Sequence, residues 1–246
     1  MQQEPTSEPF SRTIKNRQWR KAKSAGFFAF VTAMTVILPF QAWSGLKGNY
    51  ALSFVALFLF LSSVAVTIIF SNRARKMDKL ISGEEIISSW TLDDEAKNAY
   101  VNHLFATEKG KNSGLFIVIT LFMVLFFGLF ILFMKEGRWM MFLFFLIIIA
   151  LVALFALGMP YYYRYRNNRG DGYVAIGRKY AYVNGFFHNW DFPLSGLKEV
   201  KVIQKPFYGI QLRYYYYDRT LRNEEVLTIP TNRNTDLKRL IEKLNR

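Results

Sequence analysis

The feature that most constrains this chain is the run from Gly114 to Met134, in which sixteen residues are Leu, Ile, Val or Phe and none is charged. A helix of that composition is apolar on every side, which a core helix of a soluble domain does not need to be. Roughly 20 apolar residues rising 1.5 Å each match a hydrocarbon layer about 30 Å thick. At about −0.3 to −0.6 kcal/mol per residue on an insertion scale, such a run supplies roughly −5 to −10 kcal/mol. Three further stretches qualify: Gly26 to Trp43, Tyr50 to Phe70 and Trp139 to Met159. The first is weaker, with Pro39 and Gln41 near its end, and reads as supported by its neighbour in a hairpin. A cleaved signal peptide is the competing reading of that end. A long basic region and an immediate second span argue against it.

The rest of the composition fits this division. Of 246 residues 52% are hydrophobic, yet mean hydropathy is close to zero, so the apolar residues are concentrated in blocks and the remainder is polar and basic. There is no cysteine. Disulfides, thiolate metal sites and cysteine nucleophiles are thereby excluded.

Lys and Arg are distributed unevenly. Arg12, Lys15, Arg17, Arg20, Lys21 and Lys23 precede the first span, and only Lys47 follows it. The loop from Ser71 to Ser113 carries seven, the third loop has Lys135 and Arg138, and the tail after Pro160 has sixteen. The positive-inside rule then puts the N-terminus, the middle loop and the tail in the cytoplasm. Trp43, Tyr50, Trp139 and the tyrosines at 161, 162, 163 and 165 sit where a membrane interface favours aromatic rings.

The organisation expected is a basic segment over 1–25, a transmembrane hairpin over 26–70, an α-rich loop over 71–113, a second hairpin over 114–159 and a β-rich domain over 160–246. In the middle loop a helix continues through Lys79 and Leu80 and turns at Gly83, and the short apolar run Ile86 to Leu92 follows. Thr91 with Asp94 resembles a capping box for a helix to about Thr107. This loop reads as a small element docking on the C-terminal domain. In the tail, Tyr173–Ile176, Lys179–Val183 and Phe186–Trp190 read as strands separated by turns at Gly177-Arg178 and Asn184-Gly185. Leu197–Ile203, Tyr208–Tyr217 and Glu225–Ile229 read as further strands, with a turn over 218–223. Leu237, Leu240, Ile241 and Leu244 form the stripe of a closing amphipathic helix, with Asn234 or Thr235 as its cap.

The stretches Gly172–Ile176, Tyr180–Gly185 and Phe192–Val200, with the final helix, resemble the pleckstrin-homology-like domains of bacterial membrane proteins. The resemblance covers about eighty residues of the tail. It implies a small antiparallel β-barrel or sheet closed by one helix, a bacterial inner membrane, and a module that binds lipid headgroups, peptides or proteins. The phosphoinositide-binding signature of the eukaryotic relatives has no counterpart here residue by residue.

Little in the sequence carries chemistry. The four spans hold no Asp, Glu, Lys, Arg or His, which argues against ion-coupled transport, proton pumping and voltage sensing. Thr32, Thr35, Gln41, Ser53, Ser62, Ser63 and Thr67 all fall in the first hairpin. They read as interhelical glue before they read as a polar path. His103 and His188 have no ligand-spaced partner, Gly170-Asp171-Gly172 is a turn, and Glu84-Glu85 lack a basic companion. We expect no catalytic residue, cofactor or metal, and no enzyme. Two basic clusters remain as candidates for the lipid surface: Arg12, Lys15, Arg17, Lys21, Arg20 and Lys23 around Trp19, and Arg164, Arg166 and Arg169 among tyrosines. The expected partners are the anionic cytoplasmic leaflet and a protein or a second copy of the chain. Nucleic acid is disfavoured by the position beside a membrane, although the tail has sixteen basic against eight acidic residues. The function expected is a membrane adaptor or scaffold. The alternatives are a subunit of a transport or channel complex and a ligand-sensing membrane effector.

Overall fold

The structure is a computed structural model and describes residues 14–41, 44–218, 221–231 and 235–245. Its elements are α1 (Gln18–Ile37), a short 3-10 turn (Leu38–Phe40), α2 (Tyr50–Ile81), β1 (Ile86–Thr91), α3 (Asp94–Phe133) and α4 (Arg138–Asn168). There follow β2 (Tyr173–Gly177), β3 (Tyr180–Val183), β4 (Phe186–Asn189), β5 (Gly196–Ile203), β6 (Gly209–Asp218), β7 (Leu221–Pro230) and α5 (Leu237–Leu244). Among the described residues four helices are long and apolar enough to cross a membrane, so the chain is a multi-pass membrane protein by length and composition. Packing divides it into two compact units. One comprises Met1–Ser88 with Ala175–Ala181 and Phe187–Asp191; the other comprises Ser89–Val174, Tyr182–Phe186 and Phe192–Arg246.

In the first unit α1 and α2 pack through small residues. Ala22, Ala29, Thr32, Ala56, Ser63 and Ala74 are buried, while Phe27 is 70% and Phe58 57% exposed. That inversion of the soluble pattern is expected where the surroundings are lipid: large apolar side chains gain nothing by turning inward, and small ones let two backbones approach. Five hydroxyls of the pair bond to backbone carbonyls. Thr32 donates to Phe28 and Ala29, Thr35 to Val31, Ser63 to Leu59 and Thr67 to Ser63. Ser53 donates across the pair to the carbonyl of Val36 at 2.8 Å. Asn49 caps α2, its side chain accepting from Leu52 N–H. Beyond the apolar stretch, α2 continues without interruption and buries Ala74, Met77 and Leu80.

In the second unit α3 begins at Asp93, whose carboxylate accepts from Ala96 N–H at 2.7 Å. The expected Thr91 cap is therefore replaced by a residue two positions on, which brings an acceptor of full negative charge to the positive end of the helix. The helix does not stop at Thr107 but runs unbroken to Phe133. Gly110 costs only about 1 kcal/mol in a helix interior and the segment has no proline, so nothing there ends it. In α4 the expected span ends at Met159, yet the helix passes through Pro160 to Asn168. The Pro160 ring leaves the Ala156 carbonyl without its helical donor at that point.

The strands form two sheets, with orders β1-β2-β3-β4 and β5-β6-β7. No closed barrel is formed among the described residues; the expected β-barrel is corrected to two sheets. Phe192–Ser195 separates β4 from β5, with Leu194 at φ +61, and neither edge strand of one sheet pairs with the other. The apolar run after Gly83 forms strand β1. Asn184 (φ +48) and Gly185 (φ +92) turn the β3–β4 hairpin, as left-handed turn positions require. In the second sheet β5 pairs with β6 and β6 with β7, both antiparallel, and the β6–β7 pairing extends beyond the expected strand ends, Asp218 facing Leu221. Trp90 donates its indole N–H to Pro230 O at 3.0 Å. Helix α5 lies against β5 and buries Leu237, Leu240 and Leu244. Its cap is Asp236, accepting from Arg239 N–H, rather than Thr235; Asn234 lies outside the described residues.

Candidate functional site

The start of α1 shows how its charges are aimed. Ile14, Gln18 and Ala22 recur every four residues and are buried, so one face of this segment lies against protein. The residues between them, Lys15, Arg17, Arg20 and Lys21, are exposed, as is Lys23 just beyond. Two neutral side chains fix the segment to α2. Asn16 donates to Ala74 O at 2.8 Å and to Asp78 Oδ1 at 2.7 Å, and the Trp19 indole donates to Asp78 Oδ2 at 2.7 Å. Asp78 therefore spends both oxygens on uncharged donors. Lys21 Nζ lies 5.3 Å from the centroid of the Phe70 ring. Among the described residues Lys15, Arg17, Arg20 and Lys23 have no ion-pair partner, and Arg75 on α2 is exposed as well. The result is a collar of unneutralised charge at one end of the α1–α2 pair. Arg12, expected in the same cluster, lies outside the described residues.

The other expected cluster belongs to the second unit, on the last turns of α4. Its arginines stack on rings. Arg164 sits 4.7 Å from the Phe105 centroid and donates to Asn102 Oδ1 at 3.3 Å. Arg166 lies over Phe186 at 5.2 Å and Tyr162 at 5.7 Å, and Arg169 over Tyr165 at 4.5 Å. Such stacking orders a guanidinium without cancelling its charge. The helix ends in a buried corner. Asn184, fully buried, donates to Asn167 O at 2.8 Å and accepts from Gly172 N–H at 3.0 Å. Gly170 passes so close that a Cβ there would stand 2.1 Å from the Asn184 side chain. Lys97 of α3 donates to Gly170 O at 2.7 Å, and Tyr182 donates its hydroxyl to Asp171.

The histidines occupy structural places. His103 has its ring edge-on to Phe207 at 5.8 Å, and partial burial lowers its pKa. For His188, loss of solvent and then the neighbouring Arg73 charge push the pKa down to about 4, so it is neutral near pH 7. Among the described residues no group of three His, Asp or Glu could hold a metal ion.

A cleft in the first unit was not legible from the sequence. It has a volume of about 600 Å³ and is lined by Lys76, Lys79, Glu84, Glu85, Ile86, Ile87, Arg178, Lys179, Tyr180 and Asp191. Asp191 is held between Lys76 at 2.8 Å and Lys179 at 2.9 Å. Glu85 accepts from the Tyr180 hydroxyl and from Lys79 at 3.2 Å. The Tyr180 bond, helped by Lys79, holds the Glu85 carboxyl below the usual carboxylate range against an opposing desolvation, and burial followed by Glu85 itself raises the Tyr180 phenol. Gly177 is required here, because a Cβ would stand 2.8 Å from Glu85 O. Arg73 donates to Phe187 O at 2.7 Å, and Trp190 donates its indole N–H to Arg178 O at 3.1 Å. The cleft is lined from two stretches far apart in sequence, 76–87 and 178–191, so no local pattern announces it.

Comparison with protein-family models, with curated proteins and with solved structures finds no match to this chain.

Proposed function

We propose that this chain is a non-enzymatic membrane adaptor of the bacterial inner membrane, with both termini in the cytoplasm. Its spans anchor, its basic collar holds the anionic leaflet, and its β-rich part binds a protein partner. The observation that carries the reading is the collar itself. Lys15, Arg17, Arg20 and Lys23 point outward from a segment that is otherwise fixed to α2, with no ion-pair partner among the described residues. Basic residues at such a surface are worth about 1 kcal/mol each toward an anionic leaflet. Hydroxyls of the first hairpin bonded to carbonyls, as in Thr32 and Ser63, favour an anchor over a transport path. Two antiparallel sheets followed by a helix packed on β5 support a pleckstrin-homology-like reading of the tail.

The test is gentle extraction of the full chain and quantification of what it retains. The wild type is expected to keep anionic phospholipid above its share in the membrane. The combined variant Lys15→Gln, Arg17→Gln, Arg20→Gln, Lys23→Gln is expected to keep it in proportion only. Equal retention by both proteins would overturn the lipid part of this reading. Absence of any stoichiometric co-purifying protein would overturn the adaptor part.

A further inference from the structure

The cleft of the first unit has an asymmetry in its hydrogen-bonding capacity. Its acceptors are mostly occupied. Asp191 receives two ammonium groups, and Glu85 receives Tyr180 and Lys79. Its donors are not. Arg178 is exposed at the β2–β3 turn, and its guanidinium has no hydrogen-bond or ion-pair partner among the described residues. Lys179 gives one bond to Asp191 with its side chain 62% exposed, and Lys79 gives one to Glu85 at 55%. An ammonium has three donors and a guanidinium five, so several remain directed at whatever enters.

We infer that this cleft binds a phosphate group, borne either by a membrane phospholipid headgroup or by a soluble phosphate ester. A carboxylate has two oxygens, which Arg178 alone can saturate as a fork. The tetrahedral oxygens of a phosphate can meet the Arg178 fork and still reach the Lys179 ammonium beside it. The lining holds four basic and three acidic residues, with Glu84 keeping the net charge low. That balance suits a singly or doubly charged phosphate and disfavours a polyanion. Ile86 and Ile87 supply an apolar wall for the carbon part of the ligand. Both sources have access. Lys76 lies six residues beyond Phe70 on α2, so about 9 Å along the axis at 1.5 Å per residue. The headgroup zone on each side of the hydrocarbon is roughly 5–8 Å deep. The cleft thus begins at the outer margin of that zone, within reach of a headgroup from one side and of solutes from the other.

Arg178→Glu tests the site cleanly. Trp190 bonds to the backbone carbonyl of residue 178 rather than to its side chain, so the turn is retained, and Arg178→Lys serves as the conservative control. The full chain in neutral maltoside detergent is titrated with glycerol phosphate, and separately set in phosphatidylcholine nanodiscs containing phosphatidylglycerol; phosphorus NMR reads both. Saturable glycerol phosphate binding, weakened about tenfold or more by Arg178→Glu and partly restored by Arg178→Lys, assigns a soluble ester. No binding of glycerol phosphate, with Arg178-dependent broadening of the phosphatidylglycerol signal, assigns a headgroup. Neither effect, or effects unchanged by Arg178→Glu, overturns the inference. The collar variant of the preceding section leaves every cleft residue in place, so failure of either proposal is read apart from the other.

Discussion

Replacing Asn184 should unlock the corner at which α4 meets the β3–β4 hairpin. Its side chain is fully buried and bonds both ways, to Asn167 O at 2.8 Å and from Gly172 N–H at 3.0 Å. In Asn184→Ala the Gly172 N–H is stranded in a buried site, at about 1–3 kcal/mol, while Asn167 O keeps its bond from Gly170 N–H at 3.0 Å. The residue also sits at φ +48, where an alanine costs roughly 1 kcal/mol more than asparagine or glycine. Together these give about 3 kcal/mol, or two decades in an opening equilibrium at ~1.4 kcal/mol per decade. Hydrogen exchange of the full protein in detergent, followed over 172–184, should show protection falling about a hundredfold. Asn184→Gly separates the contributions, since it loses the hydrogen bonds but keeps the backbone: its loss should be smaller by about fivefold. A change of less than about tenfold in Asn184→Ala would refute the claim that this side chain holds the corner.

Two further outcomes follow from the same structure. The folded-state pKa of Glu85 is depressed, first by Tyr180 and then by Lys79, so its contribution to stability is full above the ordinary carboxylate range near 4.3 and is lost as pH falls through the lower folded value. Wild type should therefore lose exchange protection around the β2–β3 turn on acidification, and Glu85→Gln should show a flatter profile; identical profiles would contradict the assignment. The chain has no cysteine, so Thr32→Cys and Ser63→Cys can be probed singly: both positions are buried and should resist water-borne thiol reagents. Prompt labelling of either would favour a hydrophilic path through the first hairpin.

The spans were legible because a continuous apolar run needs no periodicity to be recognised, and the strands of the tail because alternation and the Asn184-Gly185 pair mark them locally. What escaped the sequence depends on partners. Ile86–Thr91 is six residues of ambiguous character, and only the neighbouring β2 makes it a strand. Helix α3 continues past Thr107 because nothing breaks it, and a missing signal is harder to read than a present one. Whether strands close into a barrel or stop as two sheets is decided by edge pairing, which no single strand encodes. The charges of Arg17 and Arg20 were visible, but that Asp78 bonds Asn16 and Trp19 instead of them was not. The cleft escaped entirely, since Lys76, Glu85, Arg178 and Asp191 become neighbours only in the fold.

The unbroken course of α3 has a mechanical consequence. Its 40 residues make a rod of about 60 Å, twice the hydrocarbon thickness, at 1.5 Å per residue. Half of it must project as a lever arm. Spans tilt as a bilayer thins or thickens, and a tilt of about 5° moves the far end of a 30 Å arm by roughly 3 Å. That end is tethered, Leu92 N–H to Gly172 O and Lys97 to Gly170 O, so the displacement is handed on to the turn that follows α4 rather than dissipated in a loop.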